Sequence, residues 1–206
     1  MTADDIDSLS MLLSINPQNP QKRLINRVVE ALDKGGLIAY PTDTFYGIGC
    51  DLYNKKGIQL IHKLKSRPLK KPFSMICDSL KEISRYAQVS NYAYKTMKRL
   101  LPGPYTFILE ATRLVPKIML TKRKTVGIRV PDNRICLEIV RSLGRPIMST
   151  SAGFDDPYAI QDAYASYLDV IIDGGVLVPN PSSVISLIDN IPEVIRVGKG
   201  DVSSFL

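Results

Sequence analysis

Leu37-Ile38-Ala39-Tyr40-Pro41-Thr42-Asp43-Thr44-Phe45-Tyr46-Gly47-Ile48-Gly49 is the stretch on which the fold reading turns. Four apolar residues in a row, too few for a buried helix and stopped by a proline, read as a strand covered on both sides. A strand covered on both sides belongs to a sheet with helices on its faces. Hydroxyls and glycines then follow at once, at the strand end where an α/β protein places ligand contacts, and the glycines are expected to let backbone amides approach an anion. Gly47-Ile48-Gly49 lacks the third glycine of a dinucleotide fingerprint.

Working outward, an amphipathic helix precedes this strand, with Asn19 as its cap, Pro20 at the first helical position, Leu24, Val28, Val29 and Leu32 on one face, and Gly35-Gly36 at its end. Residues 1–18 carry no period and read as a tail or an edge segment, so the domain is expected over residues 19–206. After the glycines, a helix through Ile58, Ile61 and Leu64 runs into Lys65-Ser66-Arg67-Pro68. A residue before proline is pushed out of the helical region, so Lys65 and Arg67 should share one face of an extended segment. Such a pair makes a clamp for a phosphate, or alternatively a solvated basic loop.

Further strands are read at 73–77, 105–110, 125–130, 146–148, 170–173, 183–189 and 193–197, and helices start at caps Asp78, Asn91 and Asn133, the last closing at Gly144. Thr125, Gly127 and Arg129 fall on one face, which makes Arg129 a second anion clamp or a paired sheet-edge charge. The hydroxyl run at 149–151 is expected to leave its strand into a loop at 154–158, followed by a helix over 159–168. Strands and helices alternate irregularly and close on a hairpin. The expected architecture is therefore α/β, a twisted mixed sheet flanked by helices in a single domain with a concave basic face.

Composition narrows the chemistry. Lys and Arg outnumber Asp and Glu by 27 to 20, which favours anionic partners. One histidine, His62, leaves no His-rich metal site and no Ser-His-Asp triad without it, and its helix-like run places it at the core edge or surface. Three scattered cysteines point to a reducing compartment. With no signal-like start and no membrane-length apolar run, a cytoplasmic location without membrane association is expected.

Seven blocks in order carry a resemblance: 41–49, Lys65-Ser66-Arg67-Pro68, Pro102-Gly103-Pro104-Tyr105-Thr106, 126–131, Ser149-Thr150-Ser151-Ala152, Pro181-Ser182-Ser183-Val184 and Arg196-Val197-Gly198. Together they resemble the Sua5/YrdC/YciO family over residue 19 onward, and the short YciO-type members most. The resemblance implies a YrdC-like fold and a threonylcarbamoyl-AMP synthase activity, in which L-threonine, bicarbonate and ATP with Mg²⁺ give the adenylate and pyrophosphate for the t6A modification of transfer RNA. Carried over by position, Lys65 and Arg67 match the catalytic cations, and Lys71 joins them in binding triphosphate. Thr125 and Arg196 match nucleotide contacts, Thr44, Arg129, Ser151 and Ser182 match threonine contacts, and Tyr46 would line the pocket. No residue is assigned to a metal. The family's synthases carry Ser-x-Asn where this chain has Ser151-Ala152-Gly153. Two alternatives stand beside this reading: an RNA-binding protein of the same fold using its basic face, and carbamoyl transfer as in hydrogenase-maturation relatives, whose accompanying segments this chain lacks.

Overall fold

The structure, a computed structural model, describes residues 10–65 and 73–206. Among these residues ten strands form one mixed sheet: β1 (Met11–Ser14), β2 (Ile38–Tyr40), β3 (Gly47–Asp51), β4 (Ser74–Ile76), β5 (Tyr105–Glu110), β6 (Thr125–Arg129), β7 (Ile147–Ser151), β8 (Val170–Asp173), β9 (Ser183–Ser186) and β10 (Glu193–Arg196). Their spatial order is β1-β8-β2-β3-β7-β4-β6-β5-β9-β10, so the long connection between β8 and β9 crosses from one side of the sheet to the other. Residues 11–14 of the segment read as a tail or edge are an edge strand, parallel to β8. Among the described residues six α-helices accompany the sheet: α1 (Lys22–Asp33), α2 (Lys55–Leu64), α3 (Leu80–Tyr86), α4 (Asn91–Leu100), α5 (Arg134–Leu143) and α6 (Pro157–Tyr164). This is the mixed, helix-flanked single domain that the alternation of elements predicts.

The period of two along the strands sorts the side chains into two cores. Ala39, Ile48, Met75, Phe107, Ile128 and Met148 pack with α2, α3, α4 and α6 on one face. Ile38, Tyr40, Ile76, Ile147, Val170 and Ile172 pack with α1 and α5 on the other. Burying each such side chain fully contributes roughly 1.5–3 kcal/mol. The second pair of helices covers only part of its face. Over β4 to β7, β9 and β10 that face is left open, and most residues lining the opening are polar, among them Ser74, Thr106, Thr125, Arg129, Ser149 and Ser151, with Phe73, Ile108 and Val184 as its apolar part. The function of the fold rests on this half-covered sheet.

Several local expectations shift for identifiable reasons. Helix α1 starts at Lys22 behind Gln21 and not at Asn19-Pro20, because the Asn16 side chain accepts hydrogen bonds from the amides of Gln18 and Asn19 and holds residues 16–19 in a turn. Ser79 and Ser90, each one residue from the expected Asp78 and Asn91, accept the capping amides of Glu82 and Ala93. The hydroxyl run 149–151 lies inside β7, and α6 starts at Pro157 behind the Asp156 cap. Gly47 and Gly49 do not form an anion-binding loop. They lie within β3, where a Cβ on Gly47 would fall 2.8 Å from the Tyr40 ring and one on Gly49 2.5 Å from the Met148 carbonyl. Their role is to let that ring lie across the strand, its hydroxyl donating to Ser149 Oγ at 2.5 Å.

Buried Glu82, third residue of α3, accepts the amide of Asp78, just ahead of the Ser79 cap, at 2.7 Å while Ser79 Oγ accepts its own. Burial raises its carboxyl to about 7, with neighbouring Asp78 adding to the rise. An acid held above its unfolded value keeps its proton in the folded chain while the unfolded chain loses one, so stability falls as pH climbs from about 4.5 to about 7. Glu82→Gln retains the acceptor and has no proton to lose. Its melting temperature relative to the parent is expected to rise between pH 5 and 8, and a constant difference would contradict the assignment.

Candidate functional site

The open half of the sheet forms a cleft of about 600 Å³. Rows of hydroxyls make its floor: Ser74 on β4, Thr106 on β5, Thr125 on β6, Ser149 and Ser151 on β7, with Ser182 just ahead of β9. Gly127 lies at its centre, where a Cβ would come within 3.2 Å of Ser74 Oγ and 3.3 Å of Thr106 Cγ2, so a larger residue would fill the space between them. Three cations border the floor, Lys65, Arg129 and Arg196, and among the described residues no carboxylate lines it.

Lys65 is the C-cap of α2. Its Nζ donates to the Ala152 carbonyl at 2.8 Å and to Tyr164 Oη at 3.3 Å, and it lies 5.3 Å from the Tyr164 ring centroid. The ammonium is thereby fixed at the end of β7, with donor capacity left for an anion. Arg67 and Lys71 lie outside the described residues. Gly153, where the resemblance leads one to expect asparagine, has φ +86°, and a Cβ there would be 3.8 Å from Lys65 Nζ, so this position adjoins the cation.

Arg129 resolves its two sequence readings by being both. It lines the cleft, and its Nη2 donates to Asp43 Oδ1 at 2.7 Å and to Thr44 Oγ1 at 3.0 Å. Both partners are largely buried, with side chains 14% and 7% exposed. Its Nε is buried with no partner among the described residues, a donor directed by a fixed guanidinium. Asp43 is a junction: its other oxygen accepts the Asp132 amide at 3.0 Å, and its carbonyl accepts Lys199 Nζ at 2.7 Å. Arg196 reaches from β10 and donates Nε and Nη2 to the Ser182 carbonyl at 3.0 and 2.8 Å, and Nη2 to Ser182 Oγ at 3.1 Å. Burial, and then the charge of Arg129, lower the Arg196 guanidinium from its ordinary value. Asp43 offsets the Arg129 charge from behind, and with no carboxylate among the described lining residues the cleft keeps a positive field that an anion relieves.

Of the residues named from sequence, the structure gathers Lys65, Thr125, Arg129, Ser151, Ser182 and Arg196 around one cleft. Thr44 stands behind it, its hydroxyl shared between Thr42 and Arg129. Tyr46 does not line it: the ring is buried, and its hydroxyl donates to the Gly175 carbonyl and accepts the Gly174 amide. It ties the β8–β9 connection to β3. His62 is buried against Phe73, their rings 4.1 Å apart, and is not among the cleft residues. Sequence reasoning noted Ser149 only as part of the 149–151 hydroxyl run and assigned no site role to it, to Ser74 or to Thr106, although hydroxyls at alternate positions of apolar strands were the signal. Thr106 Oγ1 and Ser182 Oγ lie 2.9 Å apart. Asp43 and Lys199 gave no such signal.

The family model described as Sua5_yciO_yrdC, telomere recombination, matches residues 30–198. The crystal structure of E. coli YciO superposes with a TM-score of 0.91 at 43% identity, covering 96% of this chain and all of that one. The threonylcarbamoyl-AMP synthase of Hydrogenovibrio crunogenus is 34% identical over 145 residues, covering 68% of this chain and 78% of its own. P. abyssi Sua5 in complex with L-threonine gives a TM-score of 0.86 at 26% identity, covering 92% of this chain and 58% of the longer Sua5 chain. A single domain whose family-matched residues carry the half-open sheet and its cationic cleft belongs to the Sua5/YciO/YrdC family.

Proposed function

We propose that the cleft binds ATP beside L-threonine and makes threonylcarbamoyl-AMP, the adenylate used for the t6A modification of transfer RNA. One observation carries this reading: cations from α2, β6 and β10 converge over rows of strand hydroxyls, with no carboxylate among the described lining residues. A site of that kind neutralises and positions anionic oxygens, which is what displacement at phosphorus chiefly requires. Support also comes from relatives named threonylcarbamoyl-AMP synthase and from the threonine complex of P. abyssi Sua5.

In this reading Lys65, with Arg67 and Lys71, holds the triphosphate, and Arg196 and Thr125 hold the rest of the nucleotide. Arg129 offers its free Nε to the threonine carboxylate while Asp43 and Thr44 fix the guanidinium from behind. Ser151 and Ser182 accept or donate to the amino acid's polar groups. The threonine amine bonds to the bicarbonate carbon and a C–O bond of the bicarbonate breaks with loss of water, giving a carbamate; its oxygen bonds to the α-phosphorus, the bond from that phosphorus to the β-bridging oxygen breaks, and the electron pair leaves with pyrophosphate. With no carboxylate cage in the described cleft, Mg²⁺ would be held by the nucleotide's own phosphate oxygens and arrive as part of the substrate. The test is differential binding. ATP and L-threonine should each raise the melting temperature, and mass analysis after adding bicarbonate and Mg²⁺ should find the adenylate. Protection by neither ligand would sink the reading.

Gly153 offers a second handle. Asparagine tolerates positive φ better than most residues, and at this position its amide would stand next to Lys65. Gly153→Asn is expected to lower the ligand-free melting temperature slightly through backbone strain and to enlarge the rise caused by ATP. Gly153→Ala should show the strain alone. If both variants respond to ATP alike, the amide contributes nothing here.

A further inference from the structure

A pair of hydroxyls at one end of the cleft has fixed positions and free polarity. Residues 121–125 close into a tight loop ahead of β6: the Thr121 amide donates to the Thr125 carbonyl at 3.2 Å, the Lys124 amide to the Thr121 carbonyl at 2.9 Å, and the Thr125 amide to Thr121 Oγ1 at 3.1 Å. These bonds set Thr121 Oγ1 and Thr125 Oγ1 2.7 Å apart, and both residues line the cleft. Either oxygen can donate to the other, because a hydroxyl carries one proton and two lone pairs. When Thr121 donates, the Thr125 proton is free for a carbonyl oxygen in the cleft. When Thr125 donates, its lone pairs are free for an amino group. Neither arrangement breaks the pair, so exchanging them costs little.

The surfaces beside this pair are equally indifferent to what they touch. Ile108 on β5 and Val184 on β9 lie half-buried in the cleft floor and form an apolar shelf. Arg196 is anchored through Nε and Nη2 to the Ser182 carbonyl, so one edge of the guanidinium is fixed while its plane stays available for stacking. Beneath the shelf the backbones of β6, β5 and β9 pair strand to strand, which leaves side chains to read a ligand's edge. Selecting one base over another takes a group of fixed polarity, and a site so built rejects the wrong partner by about 10⁴-fold. Among the described residues no amide or carboxylate side chain lines the cleft, and the sequence of residues 66–72 adds none.

We propose that the cleft takes nucleoside triphosphates as a class, seating any of the common bases on the Ile108–Val184 shelf against Arg196 while the Thr121–Thr125 pair turns its polarity to suit the base. The amino groups of adenine and cytosine meet a lone pair, and the corresponding oxygens of guanine and uracil meet a proton. The proposal rests on the nucleotide reading of the cleft given above and widens its substrate from ATP to the triphosphates that share its charge.

Melting curves of the full chain with Mg²⁺ and ATP, GTP, CTP or UTP compare the affinities, and pyrophosphate release with L-threonine and bicarbonate gives kcat/KM for each. GTP should lie within about fivefold of ATP and the pyrimidine triphosphates within about tenfold, against the roughly 10⁴-fold of a site that reads one base edge. Inorganic tripolyphosphate should bind at least about tenfold more weakly than any of them, because it leaves the shelf empty. Thr121→Asp keeps an acceptor for the Thr125 amide and makes the Thr125 hydroxyl donate to the carboxylate. Its ratios of ATP to GTP and of CTP to UTP should each rise about tenfold, whereas Thr121→Ser should keep the parental ratios. A general loss of affinity or of folded protein cancels in these ratios. The proposal is overturned if the parent prefers ATP more than about 100-fold, if tripolyphosphate matches ATP, or if Thr121→Asp leaves the ratios unchanged. ATP alone driving threonine-dependent release would overturn it and leave the synthase reading standing. Equal protection by all the nucleotides without pyrophosphate release would uphold it while the synthase reading falls, and protection by none would overturn both.

Discussion

Lys65→Ala is expected to cut adenylate formation about 10²- to 10³-fold, the range seen when one preorganised donor to a developing negative charge is removed. The reason lies in how the ammonium is held. The end of α2 brings the side chain to the tip of β7, and contacts to the Ala152 carbonyl and Tyr164 Oη fix it before any substrate arrives. A cation fixed in advance costs no reorganisation when charge builds on the phosphate oxygens. Removing its side chain also loses a tether to Ala152, with a net hydrogen-bond value of about 1 kcal/mol, or roughly 2–4 °C in a chain of this size. Activity should therefore collapse while the fold persists. Pyrophosphate release and a melting curve on the same sample separate the two, and a fall in activity no larger than the fall in folded fraction would contradict the role.

Asp43→Ala should produce the largest stability loss of any single change at the cleft. Its carboxylate holds a guanidinium that is itself largely buried, and it anchors the Asp132 amide on the far side. Breaking a buried pair from one side leaves an uncompensated charge and costs about 3–5 kcal/mol. That corresponds to a drop of about 10 °C for a chain of this length. Arg129 would then be aimed by Thr44 alone, so the KM for threonine should rise more than the KM for ATP. Asp43→Asn keeps an acceptor and should do less on both counts. A parental melting temperature in Asp43→Ala would show that solvent already screens the pair.

These two residues also mark how far the sequence can be read. The sheet was legible because local signals agree: apolar runs stopped by prolines, and alternation along 105–110 and 125–129 that assigns one side of each strand to the core. The same alternation placed Thr125 and Arg129 together, and the strand-end hydroxyls Ser151 and Ser182 were visible as runs. What stayed hidden depends on partners far along the chain. Asp43 meets Arg129 across 86 residues, and Lys199 reaches the Asp43 carbonyl across 156. Nothing beside Gly47 and Gly49 reveals that the Tyr40 ring lies over them, so two glycines read as an anion loop proved to be clearance for an aromatic ring. Tyr46 was drawn into the pocket by its neighbours in sequence, whereas its hydroxyl serves the 174–175 backbone. The caps at Ser79 and Ser90 missed by one residue because adjacent Asp78 and Asn91 are equally able acceptors.

The central claim, that the open half of this sheet joins ATP to a threonine-derived carbamate, is tested most directly by pyrophosphate release with ATP and Mg²⁺ while L-threonine and bicarbonate are withheld in turn. The account predicts release that needs both, accompanied by threonylcarbamoyl-AMP and lost in Lys65→Ala. Release of the same size without threonine, or none while the protein binds ATP, would contradict it.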